Sequence, residues 1–266
     1  MTAAFRMMQE NVKAVDGIIM ILDARAPYAS INPKLDGLFA NKKILYVLNK
    51  SDLITVSDAK RVIANFKSEN KKCIAVSAFD KKAVDSLYDG IFDLLKEKSE
   101  RNKRKGFFAP LRIMVAGIPN TGKSTVINAL CGGKRTVTGN KAGVTRGKQW
   151  VRLKDLELLD TPGTMPPYFE DQVYARHLAY IGCMNDANLE FEDIAAELIK
   201  ELKEKYPELL SERYGTDVSK SVAEIFDGIC ERRGFIIRGG NYDYARCSAA
   251  IIDDFRKGRI GKIILE

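Results

Sequence analysis

The chain has 266 residues, with 43 Lys plus Arg against 35 Asp plus Glu, 45% apolar residues and a formal net charge of +8. That length suits one generous domain or two modest ones, and no apolar run approaches the roughly 18 residues that cross a bilayer, which excludes a membrane-spanning protein. The first residues, MTAAFRMMQENVKAV, lack the basic start and apolar stretch of a secretory signal, so the chain is expected to stay in the cytoplasm.

Short apolar runs at 17–22, 44–48, 73–76 and 111–115 read as strands. Between them, 57–68 and 81–98 place apolar residues at helical spacing, with Val84, Leu87, Ile91, Leu94 and Leu95 on one stripe. Strands alternating with amphipathic helices predict an α/β fold with a mainly parallel sheet covered on both faces. The run EKSERNKRK at 97–105 reads as an exposed connector, either a solvated linker or a nucleic-acid contact. After the strand at 111 come a Gly-containing loop, a helix over 125–130, and two runs, 149–153 and 156–159, that suggest a hairpin. From about Pro166 the β pattern gives way to helical periods at 171–181, 192–205, 218–232 and 242–257. Pro207, Gly215 and Gly239-Gly240 are the breaks between them. The predicted division is 1–183 for the α/β domain and 184–266 for a small all-helical domain.

Charge follows the same division. Residues 1–185 hold 30 basic and 18 acidic side chains, the remainder 13 and 17. The basic excess suits either a polyanionic partner or solubility alone. Five scattered cysteines, Cys73, Cys131, Cys183, Cys230 and Cys247, form no C-x-x-C pair. Neither a disulfide framework nor a zinc site is expected.

Residues 117–124, GIPNTGKS, fit G-x-x-x-x-G-K-[ST] between a strand and a helix. The glycines let backbone N–H groups turn inward around phosphates, and the helix N-terminus adds its dipole. Pro119, Asn120, Thr121, Gly122, Lys123, Ser124 and Thr125 are the expected phosphate-binding residues. Lys123 would reach the β- and γ-phosphates and Ser124 would take one Mg²⁺ position. Asp160-Thr161-Pro162-Gly163 follows 36 residues after Ser124 at the end of an apolar strand. There Asp160 can hold Mg²⁺ through a water, and the Gly163 N–H can sense a γ-phosphate. In the intervening Gly143-Val144-Thr145, the Thr145 hydroxyl would complete the Mg²⁺ shell, with Thr138 as a rival. Lys123, Thr145 and Gly163 are the candidate catalytic groups.

Asn49-Lys50-Ser51-Asp52 follows the second strand and suits guanine. The Asp52 carboxylate accepts from N1–H and the exocyclic amine, a pair adenine does not offer. Asn49 would brace the phosphate loop and Lys50 would lie along the base. Ser77-Ala78, ending the next strand, can present an N–H to guanine O6. In ordinary small GTPases the phosphate loop precedes these base motifs. Here the order is reversed, so the domain reads as a circularly permuted P-loop GTPase, a rearrangement that a sheet tolerates because it is built from strand neighbours.

With Asp23-Ala24-Arg25, N-K-S-D, Ser-Ala, GIPNTGKST, G-V-T and D-T-P-G in this order, the chain resembles the circularly permuted YlqF/RbgA-type GTPases, the ribosome biogenesis GTPase A family, over essentially its whole length. The resemblance implies GTP and GDP as ligands with Mg²⁺, and a role in late maturation of the large ribosomal subunit with turnover stimulated by that particle. It implies a helical end that contacts rRNA. The lack of an amphipathic anchor or lipidation signal argues against a membrane partner, and a monomer is expected. Asn120 matches the phosphate-loop asparagine that helps coordinate K⁺ in potassium-activated relatives, or else simply forms the turn. The residue after Gly163 is Thr164, not the glutamine that orients water in many GTPases. The family's Phe-Pro-Gly-His-Met motif is not present, and its methionine would align near Met1. A truncated or misassigned start is expected on that count, with slow hydrolysis in the chain as given. His177, the one histidine, reads as a helix-surface or packing residue rather than a catalyst. Arg25 reads either as a functional group or as a structural ion pair with Asp23. The cluster Arg256, Lys257, Arg259 and Lys262 reads as a solvated helix end or an rRNA contact, and Tyr242 and Tyr244 as core packing or base stacking.

Overall fold

The apolar runs of the first half form strands because each is short, β-branched and bounded by polar turns. The structure, a computed structural model, describes residues 3–106, 109–133, 149–153, 155–166 and 168–266. Its strands are β1 (Gly17–Asp23), β2 (Lys43–Asn49), β3 (Lys72–Val76), β4 (Leu111–Ala116), β5 (Gln149–Arg152) and β6 (Leu156–Asp160). They make one six-stranded sheet in the order β3-β2-β1-β4-β6-β5, with every neighbour parallel except the β5–β6 hairpin. All seven residues of β1 are buried, as a central parallel strand covered on both faces requires. Its alternate side chains serve two cores: Ile18, Met20 and Leu22 pack with Leu35, Phe39 and Phe66 on one face. Ile19 and Ile21 pack with Leu87, Ile91 and Ile127 on the other.

The helices of this part are α1 (Ala3–Asn11), α2 (Pro33–Phe39), α3 (Val56–Ser68), α4 (Lys81–Leu94), α5 (Lys96–Arg104) and α6 (Lys123–Leu130). The side chains of Thr55 and Asp80 cap α3 and α4 by accepting from the N–H groups of Asp58 and Lys82. The apolar stripe expected on α4 is the buried one. The expected connector at 97–105 has no buried residue, and 97–104 of it is helical, forming most of α5. Glu97–Arg101 and Glu100–Arg104 stand four residues apart, so opposite charges support a helix that hydrophobic patterning does not announce. Lys43 and Glu97 also pair at 3.0 Å.

Residues 175–263 form a second compact unit, while 1–174 and 264–266 form the first. The boundary between these compact units falls within α7 (Gln172–Tyr180), whose C-terminal end packs with the later helices. Tyr180 meets Phe255 edge-on, and Arg256 donates to the Ala179 and Tyr180 carbonyls. The remaining helices are α8 (Phe191–Lys205), α9 (Pro207–Tyr214), α10 (Val222–Arg233) and α11 (Tyr244–Arg256). Ser221 and Glu224 make a reciprocal capping box on α10. Pro207, expected as a break, opens α9 at its first turn.

Three sequence alternatives are narrowed within this unit. His177 is 2% exposed and hydrogen-bonds Glu201 at 3.0 Å, a packing role. Arg256, Lys257 and Arg259 are each matched to a carboxylate, of Asp186, Asp253 and Asp254. Tyr244 donates its hydroxyl to Asp227. No helix among the described residues is long and apolar enough to cross a membrane.

The last residues close back on the first unit. The Leu265 N–H donates to the Arg25 carbonyl at 2.8 Å, and the Glu266 carboxylate accepts from the Tyr28 and Ala29 N–H groups at 2.6 and 3.1 Å.

Candidate nucleotide site

Parallel pairing brings the C-terminal ends of five strands to one edge, and the sequence motifs sit on those ends. Asp23 of β1 is in register with Asn49 of β2, which is in register with Val76 of β3 just before Ser77. On the other side of β1, β4 runs into the phosphate loop, and its Val115 is in register with Asp160 of β6. The direct pairing of β1 with β4 joins the base motifs to the phosphate motifs despite their reversed order along the chain.

The phosphate loop depends on close backbone contact. Gly117 has φ +147° and a Cβ there would stand 2.5 Å from the Ile21 carbonyl oxygen. Gly122 has φ +92°, and its Cβ would run into the Asn49 Nδ2. Only glycine fits at these two positions. Asn120 also adopts the left-handed region, with φ 60°, as a turn-forming asparagine can. The Thr121 hydroxyl donates to the Ile118 carbonyl at 3.1 Å, and the buried Lys123 ammonium donates to the same carbonyl at 2.7 Å. Lys123, Ser124 and Thr125 form the first turn of α6, whose N-cap is Gly122. Their N–H groups therefore belong to a helix N-terminus suited to anions.

Asp160 lies beside that turn. Its Oδ2 accepts from the Ser124 hydroxyl at 2.9 Å, while its Oδ1 is buried with no hydrogen-bond partner among the described residues. Burial raises the Asp160 pKa, an effect opposed by the Ser124 hydrogen bond and the charge of Lys123. A buried carboxylate oxygen with an unused lone pair next to a serine hydroxyl fits a hard cation such as Mg²⁺. Gly163 packs on the phosphate loop, and the neighbouring Thr164 N–H donates to the Gly117 carbonyl at 3.3 Å. Thr145 and Thr138 lie outside the described residues.

On the base side, the Asn49 Nδ2 donates to the Thr121 carbonyl at 2.8 Å, and the Lys50 ammonium donates to the Asn120 carbonyl at 2.9 Å. The bracing expected of Asn49 is thus present, and Lys50 shares it. Asp52 is exposed in the short turn Ser51–Leu53, Ser77 is buried, and Ala78 is half-buried. A carboxylate at a strand end, exposed and without a hydrogen bond among the described residues, is available to a ligand. A family profile described as 50S ribosome-binding GTPase matches residues 112–218. That stretch holds the phosphate loop and D-T-P-G but leaves out N-K-S-D and Ser-Ala. Ribosome biogenesis GTPase A of Bacillus cereus is 36% identical over all of this chain and 91% of its own length.

The chain belongs to the ribosome biogenesis GTPase A family. The Thermotoga maritima member is 27% identical over 99% of this chain and 90% of its own length. The solved GDP-bound structure of T. maritima YlqF superposes with a TM-score of 0.68 at 25% identity, covering 97% of each chain. A second YlqF structure, GNP-bound, gives 0.67 at 26% identity over 100% of this chain and 98% of that one. The likeness to YlqF therefore spans the whole chain, with the permuted P-loop GTPase fold in the first unit and helices in the second.

Two contacts at this edge have no sequence motif of their own. The Asn32 amide, buried at the start of α2, donates to the Thr164 carbonyl at 2.9 Å and so holds the segment after D-T-P-G. Asp23 accepts from Lys50 at 2.7 Å. The first has no sequence signal, since an asparagine before a proline also caps a helix, as Asn32 does. The Asp-Ala-Arg string signals the second position but not its partner.

Proposed function

We propose that this protein binds GTP and GDP with Mg²⁺, hydrolyses GTP, and acts in late maturation of the large ribosomal subunit, whose rRNA it contacts. The observation that carries the nucleotide reading is the juxtaposition of the Ser124–Asp160 pair, whose buried Oδ1 has no partner among the described residues, and the Asn49 and Lys50 braces on one phosphate loop. In this reading the loop N–H groups from Pro119 to Thr125 and the Lys123 ammonium bind the phosphates. Asp52 and the Ala78 N–H select guanine, with Ser77 ordering that turn. Ser124, Thr145 and Asp160 hold Mg²⁺, which when bound neutralises phosphate charge. The Gly163 N–H reports the γ-phosphate. Asn120 keeps the turn and coordinates K⁺ as the second cation.

The ribosomal part rests on family membership and on the ribosome-biogenesis role for which the relatives are named. The α/β part, 1–183, is the nucleotide-driven domain, and 184–266 is the rRNA-binding domain of a monomer that works in the cytoplasm. A second reading, a nucleotide-gated scaffold with little hydrolysis, rests on Thr164. It stands where many GTPases carry glutamine, and its hydroxyl is buried without a partner among the described residues. The test is a titration of fluorescent GDP, GTP and ADP with and without Mg²⁺, followed by binding to purified 50S and 30S subunits in each nucleotide state. Guanine-selective, Mg²⁺-dependent binding and GTP-dependent capture of 50S alone support the proposal. Equal affinity for ADP, or capture of 30S instead, contradicts it.

A further inference from the structure

We infer that Asp23 is a positioning residue for the guanine nucleotide: it fixes the Lys50 ammonium against the phosphate loop, and Arg25 holds Asp23 in place to do so. The inference rests on the guanine-nucleotide reading above and adds two residues to it that do not touch the nucleotide.

Asp23 ends β1 and is fully buried. Arg25, itself 2% exposed, grips its carboxylate in bidentate fashion, Nε to Oδ1 and Nη2 to Oδ2, both at 2.9 Å. The Arg25 N–H donates to Oδ1 as well, at 3.1 Å, and the Asp23 N–H is held by the Ser30 hydroxyl at 3.2 Å. A buried carboxylate and guanidinium paired this way are already charge-balanced. Yet Oδ2 accepts a further bond from the Lys50 ammonium at 2.7 Å, making a three-charge cluster with one net positive charge.

Lys50 spans two groups from its place just after β2. Its ammonium bonds Asp23 on one side and the Asn120 carbonyl of the phosphate loop on the other. Its backbone sits at φ 60°, a left-handed conformation uncommon for a residue with a Cβ, and that fixes the direction in which the side chain leaves. The side chain is 27% exposed, so water is within its reach. An unanchored lysine there would gain solvation and rotamer freedom by swinging out. The buried carboxylate removes that choice. The backbone supports the same geometry: the Ala24 N–H donates to the Asn49 carbonyl at 2.9 Å, locking the end of β1 to the start of N-K-S-D. Purely structural work for Asp23 is met by Arg25 alone, so the third partner marks its task as orienting Lys50.

The test is a double-mutant cycle on fluorescent-GDP affinity and release, using wild type, D23N, K50M and D23N/K50M, with thermal melting of each as the control for folding. Asp23 acting through Lys50 predicts that D23N weakens GDP by about tenfold or more. It also predicts that D23N has no further effect in the K50M background, while ADP stays unbound throughout. A D23N loss that repeats in full in the K50M background, or wild-type affinity in folded D23N, overturns the inference and leaves the guanine reading intact. Absence of GDP binding by wild type sinks the reading itself. Where D23N does not fold, amine-reactive footprinting of nucleotide-free wild type decides. Protection of Lys50 relative to the exposed Lys60 and Lys81 supports the anchor, and equal reactivity overturns it.

Discussion

A Cβ on Gly163 would stand 2.5 Å from the backbone nitrogen of Pro119 and 2.6 Å from its Cα. The glycine of D-T-P-G is therefore packed directly on the phosphate loop, so movement of either segment is felt by the other. G163A forces the two apart, and the strain of such overpacking is typically about 1–3 kcal/mol. Urea unfolding of the nucleotide-free variant is expected to show that loss, and fluorescent-GTP binding is expected to weaken in parallel. Wild-type values for both contradict the contact.

Asp52 gives the opposite pattern. It is exposed and forms no hydrogen bond among the described residues, so D52A leaves stability within about 0.5 kcal/mol of wild type. A site built to hydrogen-bond the substrate loses far more when that partner goes. GDP affinity is expected to fall by at least about a hundredfold. Isothermal titration with GDP, beside a melting curve, separates the two effects.

Asn49 combines both kinds of loss. Its amide donates to the Thr121 carbonyl, and N49A leaves that buried oxygen without its donor. Such a loss costs about 1–3 kcal/mol. Chemical denaturation is expected to show it without ligand, and GDP release should quicken because the loop loses its brace. A variant as stable as wild type contradicts the bracing role.

Much of this site is legible in the sequence, and the reason is local. The phosphate loop, N-K-S-D and D-T-P-G are short strings whose chemistry depends on neighbours in the chain, and the strands before them are compact apolar runs. Helices without a strong stripe are less legible. The charged segment at 97–105 is mostly helical with no buried residue, and α2 is seven residues that begin on Pro33. Contacts set by strand pairing are not legible at all. Asp23 and Lys50 meet because β1 and β2 are in parallel register, a fact that no spacing along the chain encodes. The return of Ile264–Glu266 to the first unit is hidden for the same reason.

The helical unit has its own pH signature. Asp254 is buried and accepts from Arg213, Arg233 and Arg259. Burial pushes its pKa up, but the arginine hydrogen bonds and charges outweigh it and hold the carboxyl below its ordinary value. A carboxylate with a depressed folded pKa adds stability above its unfolded value of about 3.9, and that stability disappears as pH falls through the folded value. The stability gap between wild type and D254N is therefore expected to be constant from about pH 8 to 5 and to shrink below about 4. At neutral pH, breaking such a buried cluster costs about 3–5 kcal/mol. Denaturation at stepped pH measures the gap, and a gap that widens in acid contradicts the assignment.

The most direct test of the whole account is GTP turnover by this chain in K⁺ and in Na⁺ buffer, with and without purified large ribosomal subunits. Slow turnover alone and stimulation by the large subunit, stronger in K⁺ than in Na⁺, are expected. Guanine-nucleotide binding with no turnover under any of the four conditions would contradict the hydrolytic claim and leave a nucleotide-gated scaffold.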